Sequence, residues 1–410
     1  MSMSGMRNID ARNIGLRNIV VADTRICSID GEHGELIYRG YDILDLVTHS
    51  TFEETSYLLL FGDLPTKEEL ADFTLDLKEN REIPQALYQN LKNRPITASP
   101  MDVLQSCISQ FPDYDLDIQD DSREMNIKRA KMLISRIPTI VAVWDRIRSG
   151  KEIIKPSKEM TNAENFLYML FGTKPNHEEA KIFDICLILH AEHSFNASTF
   201  AAREIASTKS HIYASINGAT AALSGSLHGG ANTQVMKMLL EIGKMENVNK
   251  WVIGKLERAD KIMGMGHAVY KTTDPRAEVL YRLSKTVNKE RRTPWFDMTE
   301  QVEKTTKKYL LETRKQSIYP NVDLYSASLY YSLGIPMDLF TPIFAIARIS
   351  GWTSHVIEEK FAEAAPKPAL YRPKAEYVGR YCGPLGCEYN PIDQRFTKIA
   401  EGQSADSKLD

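Results

Sequence analysis

Residues 210–226 read SHIYASINGATAALSGS, and this stretch decides the fold class. Its larger apolar side chains, from Ile212 to Leu223, recur with the spacing of a helix, while Ala, Ser and Gly fill most other positions. We therefore predict a helix here and not a flexible linker. Because small side chains let helices approach closely, we expect this helix to be buried against another helix or another subunit.

Upstream, two similar motifs predict helix–turn–helix corners. LFGDLPTKEE at Leu60–Glu69 and LFGTKPNHEE at Leu170–Glu179 share Leu, Phe, Gly, Pro and both Glu positions. The only good strand signal is a small β-hairpin, Ile26–Ile29 with Leu36–Tyr38, around a glycine-bearing turn. Since the other segments favour helices and show no alternation of strand and helix, the predicted fold class is all-α.

Composition excludes several classes of protein. The 410 residues are 43% apolar and carry 51 basic against 54 acidic side chains, so neither global disorder nor nucleic-acid binding is indicated. The first residues lack the apolar core of a secretory signal, and no stretch is long and apolar enough for a membrane span. An odd, scattered set of cysteines favours a reduced compartment. We expect a soluble, cytoplasmic protein. The cysteines are Cys27, Cys107, Cys186, Cys382 and Cys387.

One histidine lies in SGSLHGGAN, between a turn and a helix that we expect to begin near Ala231. The two glycines after His228 leave room for a ligand or another backbone to approach. A helix N-terminus also disfavours the imidazolium, so His228 should be neutral and able to donate a hydrogen bond. From this segment alone, a buried turn histidine is the simpler interpretation.

A second histidine, His267, lies in MGMGHAVYKTTDPRA. Asp274 followed by Pro275 predicts a helix start, with Arg276 in its first turn as an anion clamp or a solvated surface residue. The glycine-rich loop with Lys271 is only a weak phosphate-binding signal, because it lacks the P-loop spacing.

Asp323 precedes an apolar helix in YPNVDLYSASLYYSLGIP. The simpler interpretation of a lone Asp in this place is a helix N-cap.

No metal site is predicted. In HAEHSFNAST, the spacing of His190, Glu192 and His193 fits neither H-E-x-x-H nor its inverse. Cys382 and Cys387 bracket GPLG without a second ligand pair, so a zinc site is disfavoured and both are interpreted as loop thiols.

Taken together and in order, these blocks closely resemble the citrate synthase family. The resemblance rests on SIDGEHGELIYRGY, HAEHSFNAST, SGSLHGGAN, MGMGHAVYKTTDPRA, YPNVDLYSASLYYSLGIP, FAIARISGW and YRPKAEYVG, and it covers nearly the whole chain. It implies the condensation of acetyl-CoA with oxaloacetate and water, giving citrate and CoA. Coenzyme A enters only as a substrate, with no separate cofactor and no metal.

The resemblance also implies roles for single residues. The family's catalytic positions fall on His228, His267 and Asp323. Its oxaloacetate-binding positions fall on His193, Arg276, Arg348 and, reaching in from the other subunit, Arg372. Its coenzyme A contacts fall on Met263, Gly264, Met265, Gly266 and Lys271.

The same resemblance implies a homodimer and two helical domains. We expect a large domain from residues 1–227 and 335–410, which would hold the dimer contacts and the oxaloacetate side. A small domain from residues 228–334 would hold the coenzyme A side. Three alternatives stay open from sequence: a 2-methylcitrate synthase using propionyl-CoA, a non-catalytic protein binding CoA or a dicarboxylate, and a metalloprotein.

Overall fold

The computed structural model describes residues 15–16, 19–379, 387 and 389–394. The chain divides into two compact units, one ending at Leu370 and one beginning at Tyr371. The first unit contains all the α-helices of the described residues. Its further division at residues 228 and 334 stays a prediction. In the second unit, the described residues have little regular structure beyond one 3₁₀ turn, Ile392–Gln394.

The described residues confirm the all-α fold class. A three-stranded antiparallel sheet near the N-terminus is followed by helices. The strands are β1 (Cys27–Asp30), β2 (Glu35–Tyr38) and β3 (Tyr41–Asp42). The helices are α1 (Ile43–His49), α2 (Phe52–Phe61), α3 (Lys67–Glu79), α4 (Gln85–Lys92), α5 (Pro100–Ile108), α6 (Arg123–Arg148), α7 (Asn162–Phe171), α8 (His177–His190), α9 (Ala197–Ser207), α10 (Ile212–Ser224), α11 (Ala231–Ile242), α12 (Val248–Glu257), α13 (Pro275–Arg291), α14 (Trp295–Arg314), α15 (Val322–Ser332) and α16 (Phe340–Lys360).

The predicted hairpin is present as β1 and β2, in the register Cys27 to Tyr38. The short third strand, β3, was not predicted. Tyr38 ends β2 fully buried, and its hydroxyl donates to the carbonyl of Glu192 across 2.8 Å. The hairpin is thereby joined to the segment that follows α8.

Both predicted corners are helix–turn–helix turns. Gly62 ends α2 and Gly172 ends α7, each with the positive φ that glycine tolerates best. Thr66 then begins α3 with a complete capping box. These local signals placed the helix boundaries correctly.

The small-residue stretch is the helix α10, as predicted, and it is packed tightly. It lies against α9 and α16. A Cβ added at Gly218 would come within 2.2 Å of Cδ1 of Ile205 on α9, so a larger residue here would require the Ile205 side chain to move. Helix α16 begins at Phe340 and accommodates Pro342 in its first turn.

Three sequence interpretations need correction. Asp323 is not the N-cap of α15, because Asn321 takes that place and its side chain accepts the Asp323 N–H. Arg276 is not a solvated surface residue, since it is 2% exposed. Cys387 is disulfide-bonded and therefore not a loop thiol, while Cys382 lies outside the described residues. In the described part of the chain, no helix is long and apolar enough to cross a membrane.

Candidate active site

The loop that carries His267 is braced by the hairpin turn. The Lys271 N–H donates to the carbonyl of Gly31 across 2.8 Å. A Cβ at Gly31 would lie 2.4 Å from the carbonyl oxygen of Val269, and one at Gly34 would lie 2.8 Å from that of Thr273. Only glycine allows this approach, so the turn glycines of the hairpin fix the path of the His267 loop.

His267 has a defined tautomer. Its Nδ1 accepts the N–H groups of Val269 at 2.9 Å and Tyr270 at 3.1 Å. Because both partners can only donate, the proton of the neutral ring sits on Nε2. Burial and then the charge of Arg276 lower the pKa of His267 to about 4, so the ring is neutral near pH 7. His267 can thus offer Nε2–H to an acceptor.

His228 lies in the turn between α10 and α11, and its ring is held by Ser198. Nε2 accepts the Ser198 N–H at 3.3 Å and lies 2.8 Å from the Ser198 hydroxyl oxygen. The proton of the neutral ring is therefore on Nδ1. Burial and then the charge of Arg348 lower the pKa of His228 to about 4. His228 is therefore neutral near pH 7, and burial rather than the helix terminus is the main cause.

Asp323 stands in the first turn of α15 with a free carboxylate. Because Asn321 caps the helix, the Asp323 side chain makes no hydrogen bond or ion pair within the described residues. Burial raises its pKa to about 6, against the opposing charges of Arg276 and Arg348. A carboxylate with such a pKa is ionised at neutral pH and more basic than an exposed one.

The start of α15 is tied to the Met263–Gly266 segment. Met265 forms a β-bridge with Pro320, and the Asn321 N–H donates to the Gly264 carbonyl across 3.0 Å. The Asn321 side chain also donates to the Gly266 carbonyl, at 2.8 Å. Asp323 and His267 are therefore held by neighbouring parts of one hydrogen-bonded unit.

Two buried guanidinium groups lie among these residues. Arg276 forms a two-point ion pair with Asp274, through Nε at 3.0 Å and Nη2 at 2.8 Å. Arg348, which is 1% exposed, donates from Nε to the His190 carbonyl at 2.7 Å, and its Nη2 has no partner. An unpartnered buried guanidinium nitrogen is costly unless a ligand satisfies it, and carboxylates match its geometry.

His193 joins the group from the segment after α8. Its ring centre lies 5.5 Å from that of His267, and its Nε2 lies 3.3 Å from the Tyr270 hydroxyl. Burial and then the charges of Arg276 and Arg348 lower its pKa well below the usual value. The structure thus brings His193, His267 and the two arginines together in one charged interior.

A groove of about 1100 Å³ runs beside the His267 loop. Its wall combines apolar side chains, including Phe195, Leu227 and Val269, with Lys271 at the rim. Lys271 is exposed and forms an ion pair with Glu32 of the hairpin turn. An elongated ligand with an apolar arm and an anionic end would suit such a groove.

Arg372 and Glu192 lie outside the group of residues described so far. Arg372 is an exposed residue of the second unit, and its assignment stays a prediction. Glu192 does not face a metal site, because its Oε1 accepts the Nε2–H of His355 at 3.0 Å. Within the described ranges, no group of three or more metal-ligating side chains is arranged around a common point.

Comparison with known proteins decides the family. A family model described as the C-terminal domain of citrate synthase matches residues 15–374. The chain belongs to the citrate synthase family. It is 39% identical to the citrate synthase of Haloferax volcanii over 387 residues, which cover 93% of this chain and 98% of that protein. As a member of this family it is an acyltransferase that converts acyl groups into alkyl groups on transfer.

Further relatives within the citrate synthase family differ in name. The 2-methylcitrate synthase 1 of Corynebacterium glutamicum is 38% identical over 371 residues, covering 89% of this chain and 94% of that protein. The solved citrate synthase of Thermotoga maritima is similar in fold, with a TM-score of 0.82 and 39% identity over 95% of this chain and 100% of that one.

A solved citrate synthase from Thermoplasma acidophilum, in a ternary complex with carboxymethyl coenzyme A and oxaloacetate, has a TM-score of 0.85 and 30% identity. It covers 93% of this chain and 99% of the other.

Sequence reasoning did not assign roles to three residues of this site. Ser198 lies in the HAEHSFNAST block and Asn321 in the YPNVD block, so each was within a quoted motif. Asn is as good an N-cap as Asp, and this rule alone could have moved the cap of α15 to Asn321. Tyr270 gave no local signal, because its contact with His193 spans 77 residues of chain.

Proposed function

We propose that this chain is a citrate synthase that condenses acetyl-CoA with oxaloacetate and water to give citrate and CoA. The observation that carries the proposal is the set of protonation states around the two buried guanidinium groups. A free carboxylate at Asp323, a neutral His228 with its proton on Nδ1, and a neutral His267 with its proton on Nε2 are the groups that this reaction needs.

The first step is removal of a proton from the methyl group of acetyl-CoA. A thioester methyl is a very weak acid, so Asp323 needs help from a donor to the thioester oxygen. His228 Nδ1–H would donate there and stabilise the enol or enolate. In other enzymes, removing such a donor raises the barrier by about 3–4 kcal/mol. His228 should matter to a similar extent.

The second step forms the carbon–carbon bond. His267 Nε2–H would polarise the ketone of oxaloacetate and protonate the new hydroxyl oxygen. Arg348, with its unpartnered Nη2, and Arg276 would hold the two carboxylates, with His193 beside them. Planar guanidinium groups suit this task because they bind carboxylates at two points. Before substrate binds, the carboxylates of Asp274 and Glu192 balance the charges of the two arginines. After the carbon–carbon bond has formed, water hydrolyses the thioester and CoA leaves.

Coenzyme A would lie in the groove beside the His267 loop. The segment Met263–Gly266 would contact the adenine. Lys271 would release its ion pair with Glu32 and contact a phosphate instead. The apolar wall of the groove suits the pantetheine arm. The proposed condensation needs no resident cofactor, because Asp323 can remove the methyl proton and His267 can supply the hydroxyl proton.

The assembly and location are further parts of the proposal. We infer a homodimer in which Arg372 of each subunit completes the oxaloacetate site of the other. We also infer a cytoplasmic enzyme of the tricarboxylic acid cycle. Among the described residues, the buried free thiols Cys27, Cys107 and Cys186 favour a reduced compartment, whereas the disulfide of Cys387 favours an oxidising one.

A second candidate, 2-methylcitrate synthase, is favoured by the Corynebacterium relative. One methylene group in an apolar pocket changes specificity by only about 1–3 kcal/mol, so the same residues serve both reactions. Thiol release should be measured for acetyl-CoA and propionyl-CoA, each with and without oxaloacetate. The proposal predicts a higher kcat/KM with acetyl-CoA and no release without oxaloacetate. The absence of turnover with both would indicate a non-catalytic binding protein.

A further inference from the structure

Behind the candidate active site, three side chains form a hydrogen-bonded row inside the protein. An Nη1–H of Arg203 donates to Nδ1 of His355 at 3.0 Å. Because an arginine can only donate, the His355 proton lies on Nε2, which donates to Oε1 of Glu192 at 3.0 Å. All three side chains are buried. The row therefore holds the Glu192 carboxylate in a fixed position.

Glu192 lies against the stretch of α16 that carries Arg348. Arg348, Gly351 and His355 occupy successive turns along one side of α16. Arg348 bonds the His190 carbonyl, and His355 bonds Glu192 two residues later. Between them, a Cβ added at Gly351 would lie 2.1 Å from Oε2 of Glu192. The carboxylate thus rests on the helix backbone one turn beyond Arg348.

Neither charge is fully satisfied. Oε2 of Glu192 and Nη2 of Arg348 are both buried without a hydrogen-bond partner, so the two groups do not bond each other. Burial lowers the pKa of Arg348, and the charge of Glu192 acts against this lowering, so the two charges are close enough to interact. Arg276 is different, because Asp274 binds it directly at two points. A buried charge without an opposite charge nearby is strongly destabilising. Glu192 can offset the charge of Arg348 while leaving Nη2 available.

We propose that Glu192 is a resident counter-charge of Arg348 that sets how tightly the site holds its anionic substrate and product. It is a positioning residue, because it acts through Arg348 and does not touch the reacting atoms. The proposal rests on the assignment of oxaloacetate to this site. A dianion entering beside Arg348 meets the repulsion of Glu192, so affinity is kept moderate and citrate can leave.

The test is the variant Glu192→Gln in the full-length protein. Glutamine keeps the shape and can still accept from His355, but it removes the charge. Oxaloacetate should bind about fivefold or more tightly in calorimetric titration, since one nearby negative charge is lost. The Tm rise caused by oxaloacetate should grow, and kcat should fall through slower citrate release.

A matched control is Glu358→Gln. Glu358 is equally buried next to this row, but it accepts hydrogen bonds from Arg203 and from the backbone N–H of Arg25. This variant should lose stability without a change in the oxaloacetate Kd. If Glu192 had only a structural role, the Tm of Glu192→Gln would fall equally with and without oxaloacetate. Unchanged or weaker binding of oxaloacetate by Glu192→Gln would overturn the proposal.

A double variant covers the case in which Glu192→Gln does not fold. Removing both charges in Glu192→Gln/Arg348→Gln should give a protein more stable than Glu192→Gln alone, because no unbalanced charge remains. A further loss of stability would overturn the pairing. If the wild-type protein itself failed to bind oxaloacetate, the proposed function would fail and this inference with it. Normal wild-type binding with an unaltered variant would overturn this inference only.

Discussion

The backbone N–H of Ser198 donates to Nε2 of His228 across 3.3 Å, and this contact decides where the proton of the ring lies. Ser198 stands in the first turn of α9, so its N–H is one of those that a helix leaves without an internal partner. This otherwise unused donor of α9 therefore leaves the proton of His228 on Nδ1, the nitrogen that would donate to the thioester oxygen in the proposed reaction.

Replacing Asp323 by Asn should remove the base without weakening oxaloacetate binding. The carboxylate holds no other group in the described residues, and Asn321 caps α15 in its place. Turnover should fall about 10²–10⁴-fold, as general bases contribute in other enzymes. The oxaloacetate Kd should not rise in calorimetry, because the arginines hold this substrate and the loss of a nearby carboxylate can only favour a dianion. Asp338→Asn, a surface carboxylate paired with Arg148, is the control and should keep full activity. More than about a tenth of wild-type turnover would mean that Asp323 is not the base.

Activity should fall at acidic pH because of one group. The pKa of Asp323 is raised to about 6, so below that pH the base is protonated and kcat/KM falls about tenfold per pH unit. His228 and His267, with pKa values of about 4, stay neutral over this range. In a mixed organic–aqueous buffer, the acidic fall of the pH–activity profile should move to higher pH. The pKa of a carboxylic acid rises in such a buffer because ionisation creates a charge, whereas an imidazolium loses its charge when it gives up its proton. If the acidic fall did not move, the group that controls it would be a histidine and not Asp323.

Gly264→Ala should disturb the site through the Met263–Gly266 segment. Gly264 has a φ of 80°, and an added Cβ would lie 2.9 Å from the Cα of Leu324. Strain of about 1–3 kcal/mol is expected. The KM for acetyl-CoA should rise more than the oxaloacetate Kd, since Arg276 and Arg348 lie on other elements. Gly254→Ala is the control, because its nearest contact would be at 3.9 Å and alanine favours the helix. Equal effects of the two substitutions on KM would contradict this account.

Mixing two weakly active variants tests whether Arg372 acts across subunits. Arg372→Ala and Arg348→Ala should each be weakly active alone. After mixed refolding, some dimers would contain one site with both arginines, so part of the activity should return. Sedimentation must show dimers in every sample. If dimers form and no activity returns, Arg372 acts within its own chain.

Sequence signals within a few residues predicted the helix boundaries of this fold. Contacts between residues far apart in the chain could not be predicted in this way. Capping residues and glycines placed both corners, and Asp274 with Pro275 placed the start of α13 correctly. The burial of Arg276 could not be read from its neighbours, because the groups around it come from the hairpin, α8 and α16. Likewise, the bond between Glu192 and His355 joins residues 163 positions apart. Periodicity shows which face is buried but not which distant side chain meets it.

The central claim is that this chain joins two carbon atoms and does not merely hydrolyse a thioester. The most direct measurement uses acetyl-CoA labelled with carbon-13 in its methyl group, incubated with oxaloacetate and the purified protein, and followed by NMR. The account predicts that the label appears in a methylene group of citrate, at a rate equal to that of thiol release. Label accumulating in free acetate, or remaining in acetyl-CoA, would contradict it.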